Sequence, residues 1–233
     1  PRTLTSNMAT MHSLYFFAIA YKNDWSPYYQ DFQMLDRIVK ALDVLCIMQG
    51  ANGGFQSASE TWIGAPNRKN SNGSSLEGAG QAGFSKAICE VYEFLESQNL
   101  LDVLIDNDDN ADTPKITRRE AYLEMLKKSR DYMAYGGGHA PNQDAFNKLA
   151  MIYHNNAIGL LDHTQKWSQD IINGFVDITL GKTLNQYGTY WISEKGIAME
   201  PGGAENCGYD PGYSVTTARL VAEIAMLTEY QSA

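Results

Sequence analysis

Apolar residues return along this chain every three or four positions, the spacing of one face of an α-helix, and strict alternation is scarce. The pattern predicts helices at roughly residues 8–21, 28–49, 75–98, 117–134, 142–162, 167–187 and 212–230. A weak alternation in TYWISEKGIAM, ahead of the last helix, is the place where short strands are expected. The expected fold class is all-α, with residues 1–233 forming one domain.

The stretch YGGGHAPNQDAFNKLAMIYHNNAIGLL, residues 135–161, is the most informative. Gly136, Gly137 and Gly138 break one helical pattern, and a new helix is expected from Asn142 onward. Its spacing puts Phe146, Leu149, Tyr153, Ala157 and Leu160 on an apolar face and Asp144, Lys148 and Asn155 on the opposite, solvent side. Between them runs a flank of Gln143, Asn147, Ala150 and His154, which suits either a wet groove or an ordinary boundary with water. Gln143 and His154 are about 16 Å apart along such a helix and do not share one substrate atom.

The links after the second, fourth and sixth helices are rich in Gly, Asn and Pro: QGANGGF through NRKNSNGSSLEG, then YGGGHAP, then TYWISEKGIAMEPGGAENCGYDPGY. In a stack of antiparallel helical hairpins alternate links emerge at one end, so these loops are expected to meet on a common rim. They also lead into helix N-termini, whose unpaired N–H groups and positive dipole ends favour carboxylates or sulfates.

Composition narrows the partners. With 18 Lys and Arg against 27 Asp and Glu, a formal charge of -9 and no basic stripe, a nucleic-acid surface is not expected. No apolar run reaches the ~20 residues that span a bilayer, so no membrane insertion is expected. Pro1 begins the chain without an initiator Met, which suggests a processed or internal piece of something longer. The three cysteines have no CxxC spacing and read as small buried residues: Cys46 and Cys89 in helices, Cys207 in a glycine-rich loop.

Motif chemistry excludes several classes. IDNDDNADTPK invites a calcium reading, but a loop starting at Asp106 has Ala111 where Gly is required and Thr117 where Glu is required, leaving a solvated acidic turn. HEXXH, GXSXG and the phosphate loop are absent, so neither a metal nor a cofactor is expected. Asn72-Gly73-Ser74 is a glycosylation sequon of a kind that also arises by chance.

Helix pairs with Gly-rich rim loops, the phrase QGANGGF, and above all GGAENCGYDPGYS leading into the final helix resemble the α/α toroids of carbohydrate-active enzymes, with the heparinase and alginate-lyase-like polysaccharide lyases the nearest in character. The resemblance implies an incomplete (α/α) toroid of antiparallel helical hairpins in a secreted enzyme. It also implies a β-sandwich partner domain, for which this chain has no counterpart, so a fragment of a larger active unit is expected.

The resemblance implies eliminative cleavage of an acidic, uronate-containing polysaccharide. That reaction needs a group to neutralise the sugar carboxylate, a base for the C5 proton and an acid for the leaving oxygen. Carried onto this sequence, Asn142 and Gln143 are the neutralisers, His139 or His154 the base, and Tyr209 or Tyr213 the acid. Trp62, Arg68, Asn147 and Glu205 are the expected substrate-binding residues. The lyases' Asn-Asn-His order is replaced here by Tyr153-His154-Asn155-Asn156.

Each has a plain structural alternative: His139 as a helix cap, Tyr209 and Tyr213 packed beneath their loop, His154 a satisfied boundary histidine, Glu205 and Asp210 loop-ordering acceptors, and Trp62 a packing residue. Two rival functions remain open. One is a glycoside hydrolase drawing a carboxylate pair from Glu77, Asp144, Glu205 and Asp210; the other is a non-catalytic glycan-binding helical domain.

Overall fold

A computed structural model describes residues 8–55, 78–107, 112–135, 140–202, 206–208 and 211–228. Among these the fold is mostly helical: α1 (Met8–Lys22), α2 (Phe32–Met48), α3 (Gly78–Ser97), α4 (Arg118–Tyr135), α5 (Pro141–Leu161), α6 (Gln169–Thr179) and α7 (Pro211–Thr228). No helix among the described residues is long and apolar enough to cross a membrane.

The odd-numbered helices make a row, with α1 on α3, α3 on α5 and α5 on α7; α2 packs on α1 and α4, α4 on α5, and α6 on α5 and α7. The row runs in one direction. A Cβ on Gly83 would meet the Met11 carbonyl at 2.3 Å. Further along the same pair, Tyr21 packs edge-on against Phe94 at 5.0 Å between ring centroids. On α7, Arg219 acts electrostatically on His12 of α1, and Glu223, one turn on, acts on Tyr15. Ala82, early in α3, packs in one core with Ala145 and Ile152, whereas Leu95, late in α3, shares the other with Ile158 and Leu161. The first turns of α3, α5 and α7 therefore lie at one end of the row.

Local chemistry sets the element boundaries. The expected start of α2 at residue 28 moves to Phe32, because Asp31 caps the helix through the Met34 N–H at 2.9 Å and Gln30 takes a left-handed φ of 51°. The sixth helix, expected to reach residue 187, stops at Thr179. Gly181, with φ 71° and Ile192 directly against it, ends the helix. Asn185 then folds a turn by accepting from the Tyr187 and Thr189 amides at 2.9 and 3.2 Å. Leu184 and Tyr187, which carried the helical spacing onward, are exposed.

Two short 3-10 turns, Leu100–Asp102 and His163–Gln165, and two small strand pairs lie between the described helices. The acidic link is flanked by β1 (Leu104–Ile105) and β2 (Ile116–Thr117), paired antiparallel, with Lys115 and Asp106 joined at 3.3 Å. Before α7, β3 (Glu200–Gly202) pairs with β4 (Asn206–Gly208), which puts Cys207 in a strand opposite Pro201 rather than in a plain loop. Ile192 and Ala198 form an isolated bridge where short strands were expected. Cys46 is buried and Cys89 half-buried, its thiol pushed up to about 12, chiefly by burial.

The QGANGGF turn is a structural clasp between α2 and α4. Gln49 Nε2 donates to the Gly53 and Met125 carbonyls and to Ser129 Oγ at 3.2, 2.8 and 2.9 Å. Gly53, at φ 85°, lies so close to α4 that a Cβ there would meet the Lys128 carbonyl oxygen at 2.1 Å. Nearby, Arg118 forks onto Asp43 at 2.9 and 3.0 Å, and the Tyr122 hydroxyl donates to the same carboxylate at 2.8 Å.

Candidate functional site

Helix α5 is enclosed on nearly all sides, which corrects its expected division into core and solvent faces. Asp144, Lys148 and Asn155, assigned outward by their polarity, are buried, while Leu160 from the apolar set is exposed. Asp144 and Lys148 are satisfied by each other and by the ends of α4 and α6, and Asn155 by Arg130 and the Trp167 backbone. Lys148 pairs with Asp144 at 3.2 Å and donates to the Ala134 carbonyl at the end of α4 at 2.9 Å. The Thr179 hydroxyl, at the end of α6, donates to Asp144 at 2.5 Å. Asn155 accepts from the Trp167 amide at 2.8 Å and from Arg130 at 3.3 Å. Asp144, one of the carboxylates expected for a hydrolytic pair, is 1% exposed and tied into this network.

The flank expected to line a wet groove is also enclosed. Asn147, Ala150 and His154 are each 0% exposed. His154 stacks on Phe84 of α3, ring centroids 5.0 Å apart at 21°. Neither of its ring nitrogens has a hydrogen-bond partner among the described residues, and neither polar atom of the Asn147 or Gln81 amide has one. Burial, with a smaller contribution from the Arg130 guanidinium, pushes the His154 imidazole down to about 3. It is thus a neutral ring without a surface, and it neither meets a substrate in this arrangement nor serves as an accessible base.

Asn142 and Gln143, in the first turn of α5, are half-buried, and Tyr213, in the first turn of α7, is 54% exposed. The Tyr153 hydroxyl donates to Glu223 at 3.0 Å, which sets the register of α5 against α7. Gln143 stands ten residues before Tyr153 and Tyr213 ten before Glu223, so in helices of one direction the two share a level. These three of the expected residues are brought to one end. His139, Tyr209, Trp62, Arg68 and Glu205 lie outside the described residues, as do Glu77 and Asp210.

Farther along the same helices lies a cluster that sequence reasoning missed. Lys86 of α3 pairs with Glu223 of α7 at 3.0 Å, and its ammonium lies 4.3 Å from the centroid of the Tyr153 ring and 5.3 Å from that of Tyr15. All four odd helices thus contribute a side chain at one level. Burial raises the Tyr153 phenol well above its ordinary range, and the neighbouring Glu223 adds to the shift. Burial lowers His12, and the fields of Lys86 and Arg219 lower it further. The only local signals were the one-turn spacings His12/Tyr15 and Arg219/Glu223, which mark any helix face.

Comparison with protein-family models, with curated proteins and with solved structures finds no match to this chain.

Proposed function

We propose that this chain is the helical portion of a secreted polysaccharide lyase that cleaves an acidic, uronate-containing polymer by β-elimination, built as an incomplete α/α toroid. One observation carries the reading: Asn142 and Gln143 of α5 and Tyr213 of α7 stand in the first turns of neighbouring helices at the same end of the row. Two amide side chains and a phenol at one end of the row supply two of the three groups that elimination requires, the carboxylate neutraliser and the acid. The amides hydrogen-bond the sugar carboxylate and stabilise charge flowing into it. As the C5–H bond breaks, the proton passes to a base, for which His139 is the candidate, the bond's electrons form the C4=C5 double bond, the C4–O bond breaks, and the departing oxygen takes a proton from an acid such as Tyr213. His139 and Tyr209 are the further proton-exchange candidates, with Trp62, Arg68 and Glu205 as substrate contacts. His154 has no part in the chemistry, and Asn147 acts only beneath the surface.

The test is ultraviolet absorbance of unsaturated product across a panel of uronate polymers. The parent chain is expected to generate it, and Gln143→Ala and Tyr213→Phe to lower the rate about 100-fold each with the helical circular-dichroism spectrum unchanged. Equal rates in parent and both variants would sink the assignment.

A further inference from the structure

We infer a sugar-binding surface on the turn between α1 and α2, which takes a neutral polysaccharide chain by stacking its rings on Trp25, Tyr28, Tyr29 and Phe32. These four aromatics fall within eight residues and are 70%, 51%, 46% and 73% exposed, respectively. The turn that carries them is fixed. The Gln30 backbone N–H donates to the Tyr21 carbonyl at 2.8 Å, which ties the turn to the end of α1. The Ser26, Tyr29 and Asp31 backbone N–H groups donate to the Asn23, Ser26 and Tyr28 carbonyls at 3.1 Å each. Turns closed in this way hold their ends within about 7 Å, so the four aromatic residues spring from one small area of backbone. The Tyr29 hydroxyl also accepts from Gln30 Nε2 at 3.1 Å, which sets the direction of its ring.

The chemistry of the turn selects its ligand. Every apolar residue from 22 to 33 is aromatic or proline, and none is aliphatic. Between the rings stand Asp24, Gln30, Asp31 and Gln33, all exposed. A sugar ring has an apolar C–H face and a rim of hydroxyls, and this alternation meets both: flat rings for the face, carboxylate and amide oxygens for the hydroxyls. Asp24 has no hydrogen-bond or ion-pair partner among the described residues and accepts from such a hydroxyl. Charge argues for a neutral chain. Lys22 is the single cation of the stretch and is taken by Glu90 at 2.9 Å, so the two aspartates and the formal charge of -9 repel a polyanion here. Because α1 runs in the direction of α3, this surface lies at the end of the row away from the first turns of α5 and α7. The 15 residues of α1, about 22 Å, separate the two ends. The surface therefore holds a sugar chain without cutting it and is independent of the elimination reading.

The experiment is affinity electrophoresis of the full chain in native gels that contain a neutral polysaccharide (a β-glucan, a galactan or a mannan) or a uronate polymer. At least one neutral polymer is expected to retard the parent. Trp25→Ala should weaken that retardation about tenfold, and Trp25→Ala combined with Tyr28→Ala should abolish it. Phe16→Ala, which removes a ring of 63% exposure midway along α1, should leave it unchanged, and the thermal unfolding midpoints of all the variants should stay close to that of the parent. The inference is overturned if no neutral polymer retards the parent, if Phe16→Ala weakens retardation as much as Trp25→Ala, or if Trp25→Ala changes retardation by uronate polymers alone. A dimer in sedimentation that Trp25→Ala dissolves would make a second copy the occupant and would also overturn it. Neutral-polymer binding without unsaturated product would leave this surface standing and remove the elimination reading; product formation without neutral-polymer binding would do the reverse.

Discussion

The enclosed imidazole of His154 makes the sharpest energetic prediction. Its folded-state pKa of about 3 lies below the unfolded value of 6.5, so the unfolded chain takes up a proton that the native chain refuses. The sign follows directly: this group leaves stability intact above about pH 6.5, and stability is lost as pH falls from there toward about pH 3. Between pH 7 and pH 5 the loss from this residue alone is about 2 kcal/mol, rising to several kcal/mol near pH 3. His154→Phe keeps a ring against Phe84, removes the proton acceptor, and removes two buried nitrogens that have no partner among the described residues. Urea unfolding at pH 7 and pH 5 should show the parent losing about 2 kcal/mol more than the variant. Carboxylates common to both chains cancel in that difference. Parallel losses in the two proteins, or a His154 NMR signal titrating near its unperturbed value, would refute the enclosed neutral ring.

Two further perturbations probe the scaffold. Lys148→Met strands the Asp144 carboxylate in the interior and should cost about 3–5 kcal/mol by urea unfolding, whereas the double change Asp144→Leu with Lys148→Met should cost much less; a double variant losing the sum of the two single losses would show that the ion pair is not one unit. Gly53→Ala combines a left-handed backbone with a 2.1 Å approach to the Lys128 carbonyl and should cost at least ~2 kcal/mol, while Gly188→Ala, with an equally left-handed backbone but open space around it, should cost less; equal losses would show that the contact with α4 contributes nothing.

The helices were legible because burial imposes a period on the sequence wherever one face meets a core. What the period did not reveal was the partner of each polar residue. Asp144, Lys148 and Asn155 carry the polarity of a solvent face, yet their partners are the carbonyl of Ala134, the hydroxyl of Thr179 and the backbone of Trp167, contacts made only once α4 and α6 have closed on α5. The uncharged flank of α5 suits a wet groove or a boundary with water by its chemistry alone, but Asn147, Ala150 and His154 are enclosed, His154 by Phe84 of α3. The end of α6 was marked in the sequence by Gly181, and the helical spacing of Leu184 and Tyr187 concealed it. The Lys86 cluster draws one residue from each of four helices and has no motif of its own, so only packing makes it visible. Asn142, Gln143 and Tyr213 were accessible to sequence reasoning because each follows a Gly- and Pro-marked helix start, where position along the chain already fixes the end of the fold on which it stands.

The central claim is eliminative chemistry at that end of the row, and the mass of the cleavage products tests it most directly. Incubating the chain with uronate polymers and weighing the released oligosaccharides should give fragments whose new non-reducing end is lighter by one water than a hydrolytic fragment, with their yield lost in Tyr213→Phe. Fragments that retain the full water, or polymers left intact by the parent chain, would contradict it.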